Sequence, residues 1–541
     1  MIQALPAVGH PHDDCALCQV ASLYANSIGK YIVDQNPQAK TVFEQWKSEE
    51  GNETSLNSQL EKNQELKDMV LSETPWVADA DRETEQRQRL SDFFDENLMQ
   101  HRLQQATEKL QGLQRGDGSW SWWPQMPGSL FMTVNITETL VRLNTLTSHH
   151  SPNTSSMLDR SFKFLGNEMV ELVDELKKEE RKGIKVVFPS FNALQWLYIC
   201  TLDSQRGSKL PTKVQAANEY LLRLLKKERR NQTIYEKAMT AIILNSSQYV
   251  KSLKEYTVYK EEMGRYYDTP RASYSWRDYR IPTQVAAIEA LQRLSPQDQQ
   301  TIDEMRRWLL QEKRTQAWDT PVNSVDAVYA FMIGHSEELK PQAQTELLLD
   351  DKQLDLPQST AGIGYVKTTQ DYAGEKTFAA KKTSEGTSWG CVYAQFMQPM
   401  SDIENNGSGI TVKRELLTGG DLSPLTTHSS PLTVGQRITV RITIDCERDL
   451  DFVQVMDKRA ACMEPVSQLS GYRNGYYCAP IDNCTNYFFH GLSKGRHVVE
   501  TEYYIDRPGT YETGTCTVQC AYAPEYRANT KSLTIQVKDG E

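Results

Sequence analysis

The sequence predicts a multidomain α + β chain, with paired amphipathic helices first, a short β segment next and an antiparallel β-sandwich last. Three observations predict it. At about 100–200 residues per domain, 541 residues make roughly three domains. The apolar period is helical up to about residue 340 and becomes two after residue 405. A unit of aromatic loop followed by helix also recurs in the helical part.

Each element follows from its own pattern. Leu158, Phe162, Leu165, Met169, Leu172, Val173 and Leu176 recur at steps of one, three and four, which makes one apolar stripe on a helix. Glu171, Glu175, Lys178 and Glu179 fall off the stripe and form its solvated face. Trp120, Trp122 and Trp123 lie in a loop broken by Gly and Pro, and a helix with Val134, Leu140 and Leu143 starts near Thr133. Trp276 precedes a helix starting near Thr283 with Val285, Ile288, Leu291 and Leu294. Trp318 and Pro321 precede Ser324, Val325, Val328 and Ala330. Each unit reads as an aromatic loop, a Ser/Thr N-cap and an amphipathic helix. Such pairs stack into solenoids or close into α/α toroids. The tryptophans then gather at one end, as rim packing or, alternatively, as a ligand platform.

Residues 341–405 are intermediate, with short strands expected at Ile363–Val366 and around Trp389, Cys391, Tyr393 and Gln395. Beyond them, Ile438, Val440, Ile442, Ile444 and Cys446 alternate with polar residues, the pattern of a half-buried strand. Cys516, Val518, Cys520 and Tyr522 form another such face. About eight strands from Ile410 to Val537, separated by turns such as Asn474-Gly475, suggest a sandwich.

Composition excludes several classes. Sixty basic against 71 acidic side chains give a net charge of -11, the opposite of a nucleic-acid binder. No stretch approaches the ~20 apolar residues of a membrane helix. There is no P-loop, dinucleotide fingerprint or HExxH, and no cofactor is implied. His10 and His12 stand near Cys15 and Cys18 without the spacing of a common zinc finger, so no metal site is assigned. A toroid with aromatic loops could host a glycan-active enzyme, for which Asp117, Asp278 and Asp319 are the carboxylates in the loops; helix caps are the simpler reading.

Six of the ten cysteines fall in the last hundred residues, which points to an oxidising compartment. Cys478 and Cys484, six apart around Pro480, suit a disulfide-closed loop. Residues 1–14 contain no Lys or Arg and do not read as a secretory signal, so the chain is either cytoplasmic or the end of something longer. The most informative segment is Cys15-Ala16-Leu17-Cys18 at the opening of a helix with Val20, Leu23, Tyr24 and Ile28. It reads as a small disulfide or as two reduced thiols.

An ordered set of motifs carries a family resemblance. The run Leu23-Tyr24-Ala25-Asn26, with Gln35-Asn36-Pro37, resembles the thioester domain of bacterial alpha-2-macroglobulins, especially the large Bacteroides-type proteins. Residues 60–66, Glu73-Thr74-Pro75-Trp76, Asp117-Gly118-Ser119-Trp120 with Ser121-Trp122-Trp123-Pro124, residues 313–321, Trp389-Gly390-Cys391 and Arg459-Ala460-Ala461-Cys462 follow in family order. Leu469-Ser470-Gly471-Tyr472 is the last. The resemblance implies a thioester-type α/α toroid over 1–340, a β connector over 341–405 and a C-terminal macroglobulin-like sandwich over 406–541. It implies an endopeptidase inhibitor rather than an enzyme, exported to the periplasm or cell surface. Its partners would be proteases and the macroglobulin and bait domains that the family places upstream. A chain without the bait segment is not expected to inhibit proteases alone.

In the family a Cys thiol is joined to a Gln side chain, usually in Cys-x-Glu-Gln, and a protease amine attacks the acyl carbon. Here Cys15 aligns with the thioester Cys, Leu17 takes the Glu position and Cys18 takes that of the acyl-donating Gln; Gln19 follows one residue later. The motif is therefore read as degenerate. No His occurs among Gln125, Met126, Pro127 and Gly128, so an intact bond would prefer amines to hydroxyls. A non-inhibitory interaction module on the same fold is the alternative.

Overall fold

The computed structural model describes residues 4–10, 13–35, 92–147, 152–227, 233–261, 263–268, 280–313, 318, 320–334, 345–356, 368–371, 373–374, 376–383, 390, 392, 397–418, 423–425, 431–521, 523 and 525–540. They fall into two compact units, one up to residue 388 and one beyond it.

The first unit is helical. Its helices are α1 (Leu5–Gly9), α2 (Ala16–Gln35), α3 (Glu96–Leu113), α4 (Leu130–Thr147), α5 (Pro152–Arg181), α6 (Phe191–Leu202) and α7 (Ser204–Ser208). Then come α8 (Thr212–Lys227), α9 (Ile234–Leu244), α10 (Gln248–Glu255), α11 (Arg280–Leu294), α12 (Gln299–Gln311) and α13 (Pro321–Met332). Helices α2, α4, α6, α9, α11 and α13 each pack on the next, and α13 returns to α2. Outside them, α3 packs on α2, α5 on α4, α8 on α5, α10 on α9 and α12 on α11. That closed double ring is an α/α toroid, which resolves the choice between toroid and solenoid.

Sequence explains which helix goes where. Inner helices are buried on most sides: in α11, Ile281 and every residue from Thr283 to Leu291 is buried. Outer helices carry one apolar stripe, as on α5, where Leu158, Phe162, Leu165, Met169 and Val173 are all buried. In α4 the buried threonines satisfy their own hydroxyls. Thr137 Oγ1 donates to the Thr133 carbonyl at 2.6 Å and Thr147 Oγ1 to the Leu143 carbonyl at 3.0 Å. Thr233 and Glu236 form a capping box that starts α9.

Three small β elements belong to the described part of this unit, the first pairing Trp120–Ser121 with Gly128–Ser129. Thr257–Lys260 pairs with Gly264–Tyr267, and Glu346–Leu349 pairs with both Lys352–Gln353 and Phe378–Lys381. The strands expected at Ile363–Val366 and around Trp389, Cys391, Tyr393 and Gln395 lie outside the described residues.

The second unit is an antiparallel sandwich. In its five-stranded sheet Ile410–Thr418, Arg437–Cys446 and Gly495–Ile505 are central neighbours. In its seven-stranded sheet Cys484–Leu492, Leu450–Lys458 and Cys516–Cys520 are central. The Arg437–Cys446 strand alternates as expected, with Ile438, Val440, Ile442, Ile444 and Cys446 buried. The region divides more finely than about eight strands, because two- to five-residue strands such as Leu432–Thr433 and Met463–Pro465 flank the long ones. One pair is parallel, Leu432–Thr433 with Thr534–Lys538.

Candidate functional site

Cys15 immediately precedes α2 and caps it through sulfur. The Cys18 N–H donates to Cys15 Sγ at 3.2 Å, the Gln19 N–H donates to the Cys15 carbonyl at 3.0 Å, and Cys15 and Cys18 Sγ lie 2.8 Å apart. One helical turn brings a residue three places on back toward the cap. The side chain that it brings to the Cys15 sulfur is therefore that of Cys18. Gln19 is turned elsewhere: its buried amide donates to the Asp13 carbonyl at 3.1 Å and to Asp14 Oδ1 at 3.5 Å. Burial, then the hydrogen bond to Cys15, pushes the Cys18 thiol up to about 12. Both thiols are free and half-buried.

The tryptophan loop packs on this helix start. The Ala16 N–H donates to the Trp122 carbonyl at 3.0 Å. Asp13 Oδ1 accepts from the Cys15 N–H at 3.0 Å and from the Trp123 indole at 3.1 Å. Trp122 stacks on Phe131, with ring centres 5.7 Å apart. Trp123 is 42% exposed, whereas Trp120 is fully buried.

Trp120 and Trp318 repeat one arrangement. Each indole donates to a carbonyl in the last turn of the preceding outer helix, Trp120 to Leu110 at 3.1 Å and Trp318 to Leu309 at 2.8 Å. Each backbone N–H donates to a hydroxyl on the following inner helix, Thr133 at 2.9 Å and Ser324 at 3.1 Å. These tryptophans satisfy carbonyls that a helix end leaves open, which is rim packing. The expected N-caps shift accordingly. Helix α4 starts at Leu130 and α11 at Arg280, so Thr133 and Thr283 lie inside the first turn, and Thr320 rather than Ser324 caps α13. Trp276, Asp278 and Asp319 lie outside the described residues. Asp117 accepts from the Ser119 N–H at 2.9 Å and hydroxyl at 2.7 Å, which lower its pKa, as in a loop cap.

A second cluster fills the ring of inner helices. Arg142 of α4 is 5% exposed; it meets Asp326 at 2.7 Å, Glu138 at 3.0 Å and Glu289 at 3.6 Å. Its guanidinium lies over the rings of Tyr329 and Tyr198, 4.8 and 5.4 Å from their centres. Glu289 accepts from Tyr198, from Tyr329 at 2.8 Å and from Arg293 at 2.8 Å. Three carboxyls thus face two guanidiniums. Burial pushes Asp326 up to about 7, Glu138 and Glu289 adding to burial while Arg142 opposes it. Sequence reasoning missed this cluster. The available signal was the Glu138/Arg142 pair, four apart in an otherwise uncharged helix. Among the described residues no group of three or more His, Cys, Asp and Glu could hold a metal ion.

Comparison with known proteins decides the sandwich. Residues 409–525 match the family model of the bacterial alpha-2-macroglobulin MG10 domain. This chain carries a bacterial alpha-2-macroglobulin MG10 domain. Among solved structures, it is similar to trypsin-activated alpha-2-macroglobulin from Escherichia coli at 11% identity and a TM-score of 0.42, over 83% of this chain and 31% of that one. The E. coli protein activated by porcine elastase gives 13% identity and a TM-score of 0.40, over 82% of this chain and 39% of that one. Alpha-2-macroglobulin from Salmonella reacted with methylamine gives 13% and 0.33, over 99% and 30%. The chain thus spans about a third of the length of these structures. A search of curated proteins finds no sequence match.

Polar bridges tie the two sheets of the MG10 unit. Arg414 Nε donates to Asp457 Oδ1 at 2.6 Å, with both side chains buried, and its Nη2 donates to the Lys458 and Thr513 carbonyls at 3.1 Å. The hydroxyls of Thr485 and Tyr503 meet at 2.8 Å, and those of Tyr487 and Thr501 at 2.6 Å. The expected Cys478–Cys484 disulfide is corrected. Both thiols are free, Cys478 pairs with Tyr487, and Cys484 starts the adjoining strand. The three-residue offset puts them on opposite faces, about 10 Å apart along the ladder, beyond a disulfide's span.

Proposed function

We propose that this chain supplies the toroid and MG10 domain of an alpha-2-macroglobulin-type protease trap that holds its target without an internal thioester. One observation carries the second half: Cys18 occupies the acyl-donor position, with its sulfur 2.8 Å from that of Cys15. A thiol has no acyl group to give, and the amide of Gln19 is held by Asp13 and Asp14. The MG10 match and the closed toroid support the first half. On this reading the chain is not an enzyme. It works in the periplasm or at the cell surface with the family's upstream macroglobulin and bait domains, and its partners are proteases. No described helix is long and apolar enough to cross a membrane.

The test treats the protein, purified from its natural source, with a trypsin-type protease and separately with methylamine. The protease should co-migrate on a native gel, separate in SDS, and methylamine should add no mass to the peptide holding Cys15 and Gln19. An SDS-resistant adduct, or a methylamine-sized gain, would overturn the thioester-free part. Failure to co-migrate would leave the interaction-module reading in its place.

A further inference from the structure

We propose that Cys15 and Cys18 form a redox-active dithiol that closes and reopens by exchange with an external disulfide. The inference goes beyond the trap reading and does not depend on protease binding. It rests on the placement of the two sulfurs. They are 2.8 Å apart, and closing to a bond of about 2.05 Å takes less than 1 Å of side-chain rotation. They sit at the first turn of a twenty-residue helix, whose positive dipole end favours an anionic sulfur in transit. Both are half-buried and so accessible to a small reagent, whereas Cys446, Cys462, Cys478, Cys484, Cys516 and Cys520 are buried.

The roles divide by hydrogen bonding. Cys15 Sγ accepts from the Cys18 N–H, a backbone donor that steadies a thiolate there, which gives Cys15 the attacking role and Cys18 the resolving one. In the first step the Cys15 sulfur attacks one sulfur of a disulfide RS–SR. A Cys15–SR bond forms, and one RS⁻ leaves and takes up the Cys15 proton. In the second step the Cys18 thiol gives up its proton and its sulfur attacks that of Cys15. The Cys15–Cys18 bond forms, and the second RSH leaves. The pair is oxidised by two electrons, and the external disulfide is reduced to two thiols.

The full chain, reduced and freed of reductant, is equilibrated in glutathione buffers of rising oxidised-to-reduced ratio, quenched in acid and alkylated. The peptide holding Cys15 and Cys18 should lose two hydrogens, reach half-conversion within the series, and regain them in dithiothreitol. Cys18→Ser should accumulate glutathione on Cys15 several-fold above the unmodified chain. The buried cysteines should remain unmodified. Alkylation of both thiols across the whole series, or a disulfide that resists dithiothreitol, would overturn the proposal. So would a Cys18→Ser chain that takes up no glutathione. A thioester would instead add the mass of methylamine to this peptide, so failure here is distinguishable from failure of the thioester-free reading.

Discussion

Replacing Arg142 with Met tests the physical core of the toroid. The methionine stem fills much of the arginine's volume, so the change is chiefly one of charge. The arginine is 5% exposed, and Glu138, Glu289 and Asp326, at 6%, 1% and 14%, lose their shared partner. Removing one member of a buried ion set costs about 3–5 kcal/mol. At about 2.1 cal/mol/K per residue over roughly 300 residues, the unfolding entropy is about 0.6 kcal/mol/K, so Tm should drop by about 5–8 °C. Differential scanning calorimetry of the full chain reads this, with the MG10 transition as an unchanged reference. Adding Glu138→Gln and Asp326→Asn to Arg142→Met should recover part of the loss, because two of the stranded charges are then gone. A Tm within 1 °C of the parent, or a loss that the triple substitution leaves untouched, would refute the reasoning.

The odd carboxyl of this cluster sets a pH dependence. Asp326 is raised to about 7 in the folded chain against about 3.9 unfolded, so between those values the folded state holds a proton that the unfolded state has released. Stability should therefore fall as pH rises from about 4 to about 7, by up to about 4 kcal/mol, and Asp326→Asn should flatten that slope in urea titrations; equal slopes would contradict it. Asp457→Ala strands buried Arg414 and should cost the MG10 unit about 3–5 kcal/mol, read from its calorimetric transition. Gly118 has φ +97°, and a Cβ there would lie 2.2 Å from the Arg160 carbonyl oxygen, so Gly118→Ala should cost more than about 2 kcal/mol by urea denaturation. Trp318→Phe removes the indole bond to the Leu309 carbonyl and should cost about 1–2 kcal/mol in the same assay, with the urea midpoint unchanged if that bond is idle.

Local pattern was enough for the element types. The stripe of α5 and the alternation of Arg437–Cys446 could be read because burial on one side leaves a period in the residues themselves. The approach of Cys15 and Cys18 was also legible, because a helical turn is local and three residues suffice to bring the second sulfur to the first. The helix start was misplaced at Thr133, since a threonine whose hydroxyl receives a distant tryptophan N–H looks the same in sequence as an N-cap; Thr283 likewise lies inside its helix.

Other features are long-range. Closure of the toroid depends on α13 returning to α2, some three hundred residues away in sequence, and no local period records it. The Arg142 cluster draws its members from α4, α6, α11 and α13, so each charge looks like an isolated polar residue until the ring closes. The Cys478–Cys484 pairing looked close along the chain, and strand register, which sends a three-residue offset to opposite faces, excludes it. The sequence alone determined most of the helices and strands and the placing of Cys15 and Cys18 one turn apart at a helix start. The tertiary structure decided ring closure and the buried charge balance, because those depend on contacts between residues far apart in the chain, and strand register decided that Cys478 and Cys484 stay apart.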